Sequence, residues 1–318
     1  MAKRTKQKPA YLDASLSADT RTRDLLRRMT LEEKVRQMST RRIEDLAKEG
    51  PISAKTLSAF FGGQSIGCLE DARQAPADSA KAVNAVQKYL IEKTRLGIPA
   101  MVFCEGLHGL FSPGGTVFPQ AIGLGSTFNT DLIERMAAVI AREARAVGVA
   151  QALSPDLDLA RDPRWGRVEE TYGEDPFLVA RMGAAYVRGM QGPGPAVGPD
   201  KIVCTVKHFA AHGSPEGGVN LSPVAGGLRD LYTLYLPPFR AAVVEAGALC
   251  VMPAYSEYDG VPASASKLLL TRVLREQWGF RGYTFSDYGG IHQLHTFHKT
   301  AHSPAEAGAQ ALRAGMDL

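Results

Sequence analysis

IVCTVKHFAAHG, residues 202–213, opens as a run of β-branched and apolar side chains and breaks off at Lys207 and His208. A short apolar run of this kind reads as a buried strand, and its abrupt polar end marks where the strand leaves the core. The same construction recurs on either side. IPAMVF (98–103) runs into Cys104 and Glu105, LCVM (249–252) into Tyr255, and YTFS (283–286) into Asp287. Segments of helical period separate these runs: 131–147, with Leu132, Ile133, Met136, Ile140 and Val147 roughly on one face, then 176–191, 228–246, 266–278 and 304–313. Ser303-Pro304-Ala305-Glu306 supplies an N-cap, an N1 proline and an N3 glutamate for the last of them. Further upstream, Thr30-Leu31-Glu32-Glu33 has the capping-box pattern and predicts a helix to about Thr40.

Strand–helix alternation argues for a mainly parallel sheet with helices outside it. A doubly wound sheet gathers ligand groups at one switch point, whereas a barrel gathers them at the ends of several strands. Glu105, Lys207-His208, Tyr255 and Asp287 each follow a different run. The expected class is therefore α/β, a (β/α)8 TIM-type barrel with an irregular or incomplete first strand. No internal repeat is visible, and GPGPAVGPD (192–200) reads as an exposed loop.

Composition narrows the function classes. Of 318 residues, 45% are hydrophobic and 22% charged, which suits a globular chain with a full core. A net charge of +4 is too small to imply a nucleic-acid partner. The basic residues crowd only at MAKRTKQK, within a leader expected over residues 1–18. No stretch reaches the roughly 18–20 apolar residues needed to span a bilayer, so no membrane partner is expected. No apolar segment follows the basic start, and a cytoplasmic location is the resulting expectation. Cys68, Cys104, Cys204 and Cys250 lie far apart without CxxC spacing, and read as reduced core thiols.

Four motifs carry candidate chemistry. In YTFSDYGGI (283–291) a strand delivers Asp287 ahead of two glycines that let other groups approach. Such a carboxylate can be a nucleophile, a general base, a metal ligand or a helix cap. In VKHFAAHG (206–213), Lys207 and His208 can hydrogen-bond sugar hydroxyls and keep a nearby carboxylate ionised, or Lys207 can be a structural ion-pair partner. LARDPRWGRVEETYGEDP (159–176) combines arginines, acids and a tryptophan. Part of it reads as an internal ion-pair network holding a long loop, while one arginine can fork onto ligand oxygens. CEGLHG (104–109) puts Glu105 at a strand end. No glycine-rich phosphate loop precedes a helix, which argues against phosphate chemistry.

Together with RMTLEEKVRQM, TVFPQAIGLGSTFN, MPAYSEYDGVPAS and LLLTRVLREQWGF, these motifs resemble glycoside hydrolase family 3, the β-glucosidase and β-xylosidase group, from about Asp19 to the last residue. The resemblance implies that residues 19–318 form the family's N-terminal (β/α)8 domain. It further implies a retaining, exo-acting β-glycosidase that removes terminal non-reducing β-D-glucosyl or β-D-xylosyl residues through a covalent glycosyl-enzyme. Asp287 matches the family nucleophile. Glu105 matches the acid that holds the sugar's distal hydroxyls, Arg167 and the pair Lys207-His208 match residues gripping the sugar, and Tyr255 matches an aromatic beside the nucleophile. The expected partner is a small-molecule or oligosaccharide β-glycoside, with no cofactor and no metal.

The chain stops at ALRAGMDL, whereas the family's general acid/base comes from a second α/β domain. The expectation is thus a truncated enzyme lacking that domain, whose site the missing domain or a homo-oligomer completes. Two alternatives stand beside it. Single-domain N-acetyl-β-hexosaminidases use KHFPGHG and an Asp-x-His dyad. Here KHFAAHG keeps Lys207, His208 and His212, but SPEGGVN has no dyad, and Glu216 or His212 would have to serve as acid. The other alternative is a non-catalytic sugar-binding fragment. The longer reach of Glu at position 105, compared with Asp, would crowd a hexose hydroxymethyl group, so β-xyloside or mixed glucoside/xyloside activity is an expectation beside the β-glucosidase activity usual in the family. His292, His295, His298 and His302 have spacing compatible with a metal site, but without matching carboxylates they read as solvated or supporting residues.

Overall fold

The computed structural model of the protein describes residues 8–71, 73–194 and 196–318. The first seven residues of the expected leader lie outside that set. Among the described residues there are nine short strands: β1 Thr40–Arg42, β2 Cys68–Glu70, β3 Met101–Cys104, β4 Gln151–Ala152, β5 Val203–Phe209, β6 Cys250–Pro253, β7 Glu257–Tyr258, β8 Val261–Pro262 and β9 Tyr283–Thr284. The chain divides into two compact units, Met1–Leu69 with Ala85–Ala100, and Glu70–Asn84 with Met101–Leu318.

In the smaller unit, the Thr30 hydroxyl accepts from the Glu33 amide and the Glu33 carboxylate accepts from the Thr30 amide, so the capping box starts helix Leu31–Gln37 as the sequence predicts. Arg95 pairs with Glu33 from the far end of this unit. Ser17 caps helix Ala18–Arg28, and the Tyr11 hydroxyl donates to Leu96 O at 2.9 Å.

The larger unit holds the site. Strands β3, β4, β5, β6 and β9 lie side by side in sequence order, and every neighbouring pair is parallel. Helices Thr130–Ala146, Pro176–Gln191, the run from Leu228 to Glu245, and Leu268–Gln277 occupy the connections between them. This is the α/β, TIM-barrel-like class expected. The strands are buried on both faces, as parallel strands covered by helices must be. Helix Thr130–Ala146 buries Ile133, Met136 and Ile140, each contributing about 1.5–3 kcal/mol. All four cysteines are buried, and burial pushes the Cys68 thiol up to about 12, which disfavours a reactive thiolate there. Among the described residues no helix is long and apolar enough to cross a membrane.

Two local findings go beyond the sequence reading. The helical run from Leu228 to Glu245 alternates α-turns with π-type turns at Leu231–Tyr235 and Ala241–Glu245. Pro237 and Pro238 lie between the π-turns; they lack the N–H that an α-turn needs, and the widened turns flank them. At Tyr288-Gly289-Gly290 the demand is conformational rather than one of close approach. Gly289 sits at φ +69°, and a Cβ built there meets no atom within 4 Å.

Candidate active site

Parallel strands that end on one side bring their following residues together. Glu105 comes directly after β3, and Lys207 and His208 lie in the last turns of β5, joined by a cis peptide bond. Tyr255 follows β6, and Asp287 follows β9. Arg167 arrives on the long loop after β4. All six sequence candidates meet. Lys207 Nζ lies 3.2 Å from Glu105 Oε2, Arg167 Nη2 lies 3.1 Å from His208 Nε2, and His208 Nε2 lies 3.5 Å from Asp287 Oδ2. The Tyr255 hydroxyl hydrogen-bonds in the direction of Asp287 and lies 3.1 Å from Tyr288 O.

Each group is held by residues the sequence reading did not single out. Glu170 takes Arg167 in a two-pronged pair, 2.7 Å from Nε and 2.8 Å from Nη2. Beneath His208 lies a pair of buried acids: Asp158 Oδ2 is 2.7 Å from His208 Nδ1, and Asp156 Oδ2 is 3.6 Å from it. Ser256 Oγ lies 2.9 Å from His212 Nδ1, and Arg167 Nη1 lies 3.4 Å from His212 Nε2. Trp165 is buried edge-on against His212, and its indole N–H donates to Asn220 at 2.9 Å. Gly218, in the SPEGG turn, lets that loop pass over Arg164 and Trp165: a Cβ there would come within 2.6 Å of Arg164 Cβ. Asp156 and Asp158 left one trace in the sequence, two acids at i and i+2 inside the apolar run SPDLDLA.

Arginine can only donate, so the imidazole nitrogens facing Arg167 must accept. His208 and His212 therefore carry their protons on Nδ1, directed at Asp158 and Ser256 respectively. The electrostatics agree. Burial, reinforced by Arg167, His212 and Lys207, holds the His208 pKa well below its ordinary value. Burial, then Arg167 and Lys207, lowers His212 to about 3. Burial works against the Lys207 ammonium, but Glu105 and Asp287 outweigh it and its pKa is raised. Arg167 is likewise held charged: burial opposes, while Glu170, Asp156 and Asp158 prevail. Burial raises Tyr255, with Asp287 adding to it, so the phenol stays protonated as a donor.

Asp287 itself is only 8% exposed. Its Oδ1 accepts the Tyr288 N–H at 2.7 Å, whereas Oδ2 faces the unprotonated side of His208. Beside this cluster Arg73, Glu105, Leu107, Phe111, Arg167, Glu170 and Lys207 line a cavity of about 250 Å³. That is just below the roughly 300–1,000 Å³ of pockets for drug-sized ligands, and its lining suits a small, hydroxyl-rich ring. The C-terminal histidines do not converge on such a site. His298 Nε2 lies 2.9 Å from Tyr255 O and its Nδ1 3.4 Å from Glu257, while His295 Nδ1 lies 3.0 Å from Ala301 O.

Comparison with known proteins bears on this arrangement. A β-xylosidase from Formosa agariphila is 44% identical over 236 residues, covering 70% of this chain and 32% of its own length. A periplasmic β-glucosidase from Salmonella typhimurium is 36% identical over 297 residues, covering 93% of this chain and 36% of its own. The chain thus spans about a third of the length of these curated relatives. Among solved structures, a β-glucosidase from Erythrobacter marinus superposes with a TM-score of 0.92 at 40% identity, covering 98% of this chain and 41% of that one. A β-glucosidase from Listeria innocua, in complex with isofagomine, gives 0.84 at 36% identity, with 95% and 41% covered. The glycosyl hydrolase family 3 N terminal domain matches residues 30–318, and the chain belongs to that family.

Proposed function

We propose that this chain carries the nucleophile and sugar-binding half of a retaining exo-β-glycosidase for terminal β-D-glucosyl or β-D-xylosyl residues. The observation that carries the reading is Asp287: a nearly buried carboxylate at a strand end, facing Lys207, beside a polar cavity of about 250 Å³.

In this mechanism a sugar enters the cavity with its distal hydroxyls on Glu105 and Lys207, and Arg167 and His208 on its flank. Asp287 Oδ2 attacks the anomeric carbon as the bond to the aglycone oxygen breaks, forming a glycosyl ester. The neutral Nε2 of His208 offers no proton to Oδ2, so that oxygen keeps its lone pairs for attack. Lys207 stands nearby as a cation, its own charge supported by Glu105 and Asp287. Water then cleaves the ester with net retention. A retaining enzyme also needs an acid about 5–5.5 Å from the nucleophile to protonate the departing oxygen. We assign that role to no residue of this chain, and infer that a further domain or a second copy supplies it. Glucosides and xylosides both fit the relatives' names. Glu105, tied to Lys207 at the cavity wall, is the position we expect to discriminate between them, favouring the xyloside.

The test is intact-mass spectrometry after incubation with 2-deoxy-2-fluoro-β-glucosyl and -xylosyl fluorides, whose leaving group needs little protonation. One sugar adduct that maps to Asp287 and is absent from Asp287→Asn supports the reading. Unmodified protein that still binds glucose or xylose by calorimetry would instead indicate recognition without turnover.

A further inference from the structure

The acids beneath His208 take no part in the reaction as proposed, yet they are the most deeply buried charge cluster among the described residues of the larger unit. Asp156 and Asp158 are each 1% exposed, and each offers a carboxylate oxygen within 4.8 Å of one offered by the other. Asp156 Oδ1 accepts the Asp158 backbone amide at 2.8 Å, and Asp158 Oδ2 accepts from His208 Nδ1 at 2.7 Å and from the His208 amide at 3.3 Å. The remaining oxygens, Asp156 Oδ2 and Asp158 Oδ1, are buried and have no hydrogen-bond partner. Two buried carboxylates this close repel one another, and a counter-ion between them or a proton shared by them relieves that repulsion.

Asp156, Asp158 and His208 offer ligand atoms within 4.8 Å of one another, so a cation is the first candidate for the missing charge. The histidine argues against it. A metal on Nδ1 would drive the ring proton to Nε2, which faces the Arg167 guanidinium at 3.1 Å. Two donors would then point at each other beside a fixed positive charge. A proton creates no such conflict.

We propose that Asp156 and Asp158 share a single proton at neutral pH, and that Asp156 is a positioning residue whose carboxyl group fixes Asp158 as the acceptor for His208 Nδ1. The groups facing the pair are Arg167 and Glu170 from the long loop, Tyr172 beyond it, and Lys207 and His208 from β5. Arg167 and Lys207 favour ionisation, while burial and Glu170 oppose it, and burial is the larger effect. The pair thereby carries one negative charge. This keeps His208 neutral, with its lone pair on Arg167, rather than drawing a proton onto the ring. The inference stands on the buried geometry and holds whether or not the chain turns over glycosides.

Infrared spectroscopy of the whole chain in H2O and D2O tests it. Wild type at neutral pH should show the carbonyl stretch of a protonated, buried carboxyl, shifted on deuteration. Asp156→Asn and Asp158→Asn should each lose that band, because either leaves a lone carboxylate beside Arg167 and an amide donor. A spectrum of wild type without the band overturns the proposal. So does a band of undiminished intensity in both variants, which would belong to another buried acid such as Glu70 or Asp71. If either variant fails to fold, nitrogen-15 spectra of histidine-labelled wild type decide. His208 as the neutral Nδ1–H form at neutral pH supports the shared proton, and an imidazolium at that position refutes it.

Discussion

The ends of β5 and β9 face each other across the candidate site and are built in opposite ways. At the β5 end, Lys207, His208 and His212 are all sealed from solvent, and every imidazole nitrogen has a partner: Asp158 and Arg167 for His208, Ser256 and Arg167 for His212. At the β9 end, Asp287 is followed by an exposed Tyr288 and a left-handed glycine, and Oδ1 is held by the adjacent backbone amide. Residues that only hold charge in place gain from being locked by neighbours. A carboxylate that must make and break a bond needs one oxygen left open to approach. In the proposed function the rigid side would set the field and the lightly held side would carry the reaction.

Replacing Asp287, the proposed nucleophile, strikes the lightly held side alone and should have the largest effect. Asp287→Ala should lower turnover of an activated aryl glycoside by roughly 10⁴-fold, the scale seen when one member of a catalytic unit is removed. Chemical denaturation should show little change in stability, since the carboxylate makes few holding contacts. A comparable loss of stability would mean that β9 is as locked as β5, and the contrast would fail.

On the rigid side the effects should appear in stability. Glu170→Ala leaves the mostly buried Arg167 guanidinium without its two-pronged partner. Breaking a buried pair costs about 3–5 kcal/mol, and with Arg167 side-chain exposure at 21% we expect about 2–4 kcal/mol in urea denaturation. Glu170→Gln, which can still accept one hydrogen bond, should recover part of that loss.

Sequence and structure part company along the same line. Lys207, His208, Asp287, Glu105 and Tyr255 stood out because each ends an apolar strand, whereas the charge-dense motif left open which arginine matters and only the family resemblance pointed to Arg167. Glu170, Ser256, Asp156 and Asp158 were not. Their roles come from side chains meeting across β4, β5 and β6, which no local pattern encodes. Asp156 and Asp158 were further hidden because β4 is two residues long and their run SPDLDLA looks like any apolar connection. Of the two glycines after Tyr288, Gly289 is required by its left-handed backbone rather than by a close approach. The helix from Leu228 was predicted in extent, yet the π-turns flanking Pro237 and Pro238 were beyond a periodicity argument.

The locked side also predicts a pH dependence with two opposing parts. His212 is neutral in the fold down to about pH 3, whereas the unfolded ring protonates near 6.5. Between those values the unfolded chain binds the extra proton, so stability falls as pH drops from about 6.5 toward about 3. Asp156 works the other way. Its pKa is pushed up to about 7 by burial, so the fold keeps a proton that the unfolded chain releases above 3.8. Its contribution is full below 3.8 and is lost as pH rises through about 7. The windows overlap and the wild-type slope should be shallow. Relative to wild type, His212→Gln should tilt the profile toward decline with rising pH across the overlap, and Asp156→Asn should tilt it toward a rise, with His208 acting in the same direction as His212 in both. Identical pH profiles for the two variants would show that neither group is held as the structure indicates.

The smallest effect sharpens the comparison from outside the site. Asp162 and Arg164 belong to the same RDPRWGR motif as Arg167, and their pair is as short, at 2.7 Å. Arg164 is 68% exposed, however, and its attraction to Asp162 competes with water and salt at every point. Asp162 also accepts the Arg164 backbone amide at 2.9 Å, which a small turn residue can replace with water. Asp162→Ala should therefore leave the urea midpoint unchanged within error at physiological salt, although it removes three hydrogen bonds where Glu170→Ala removes two. A shift approaching that of Glu170→Ala would show that burial is not what separates the two arginines. In that case the loop would be held by its charges wherever they lie.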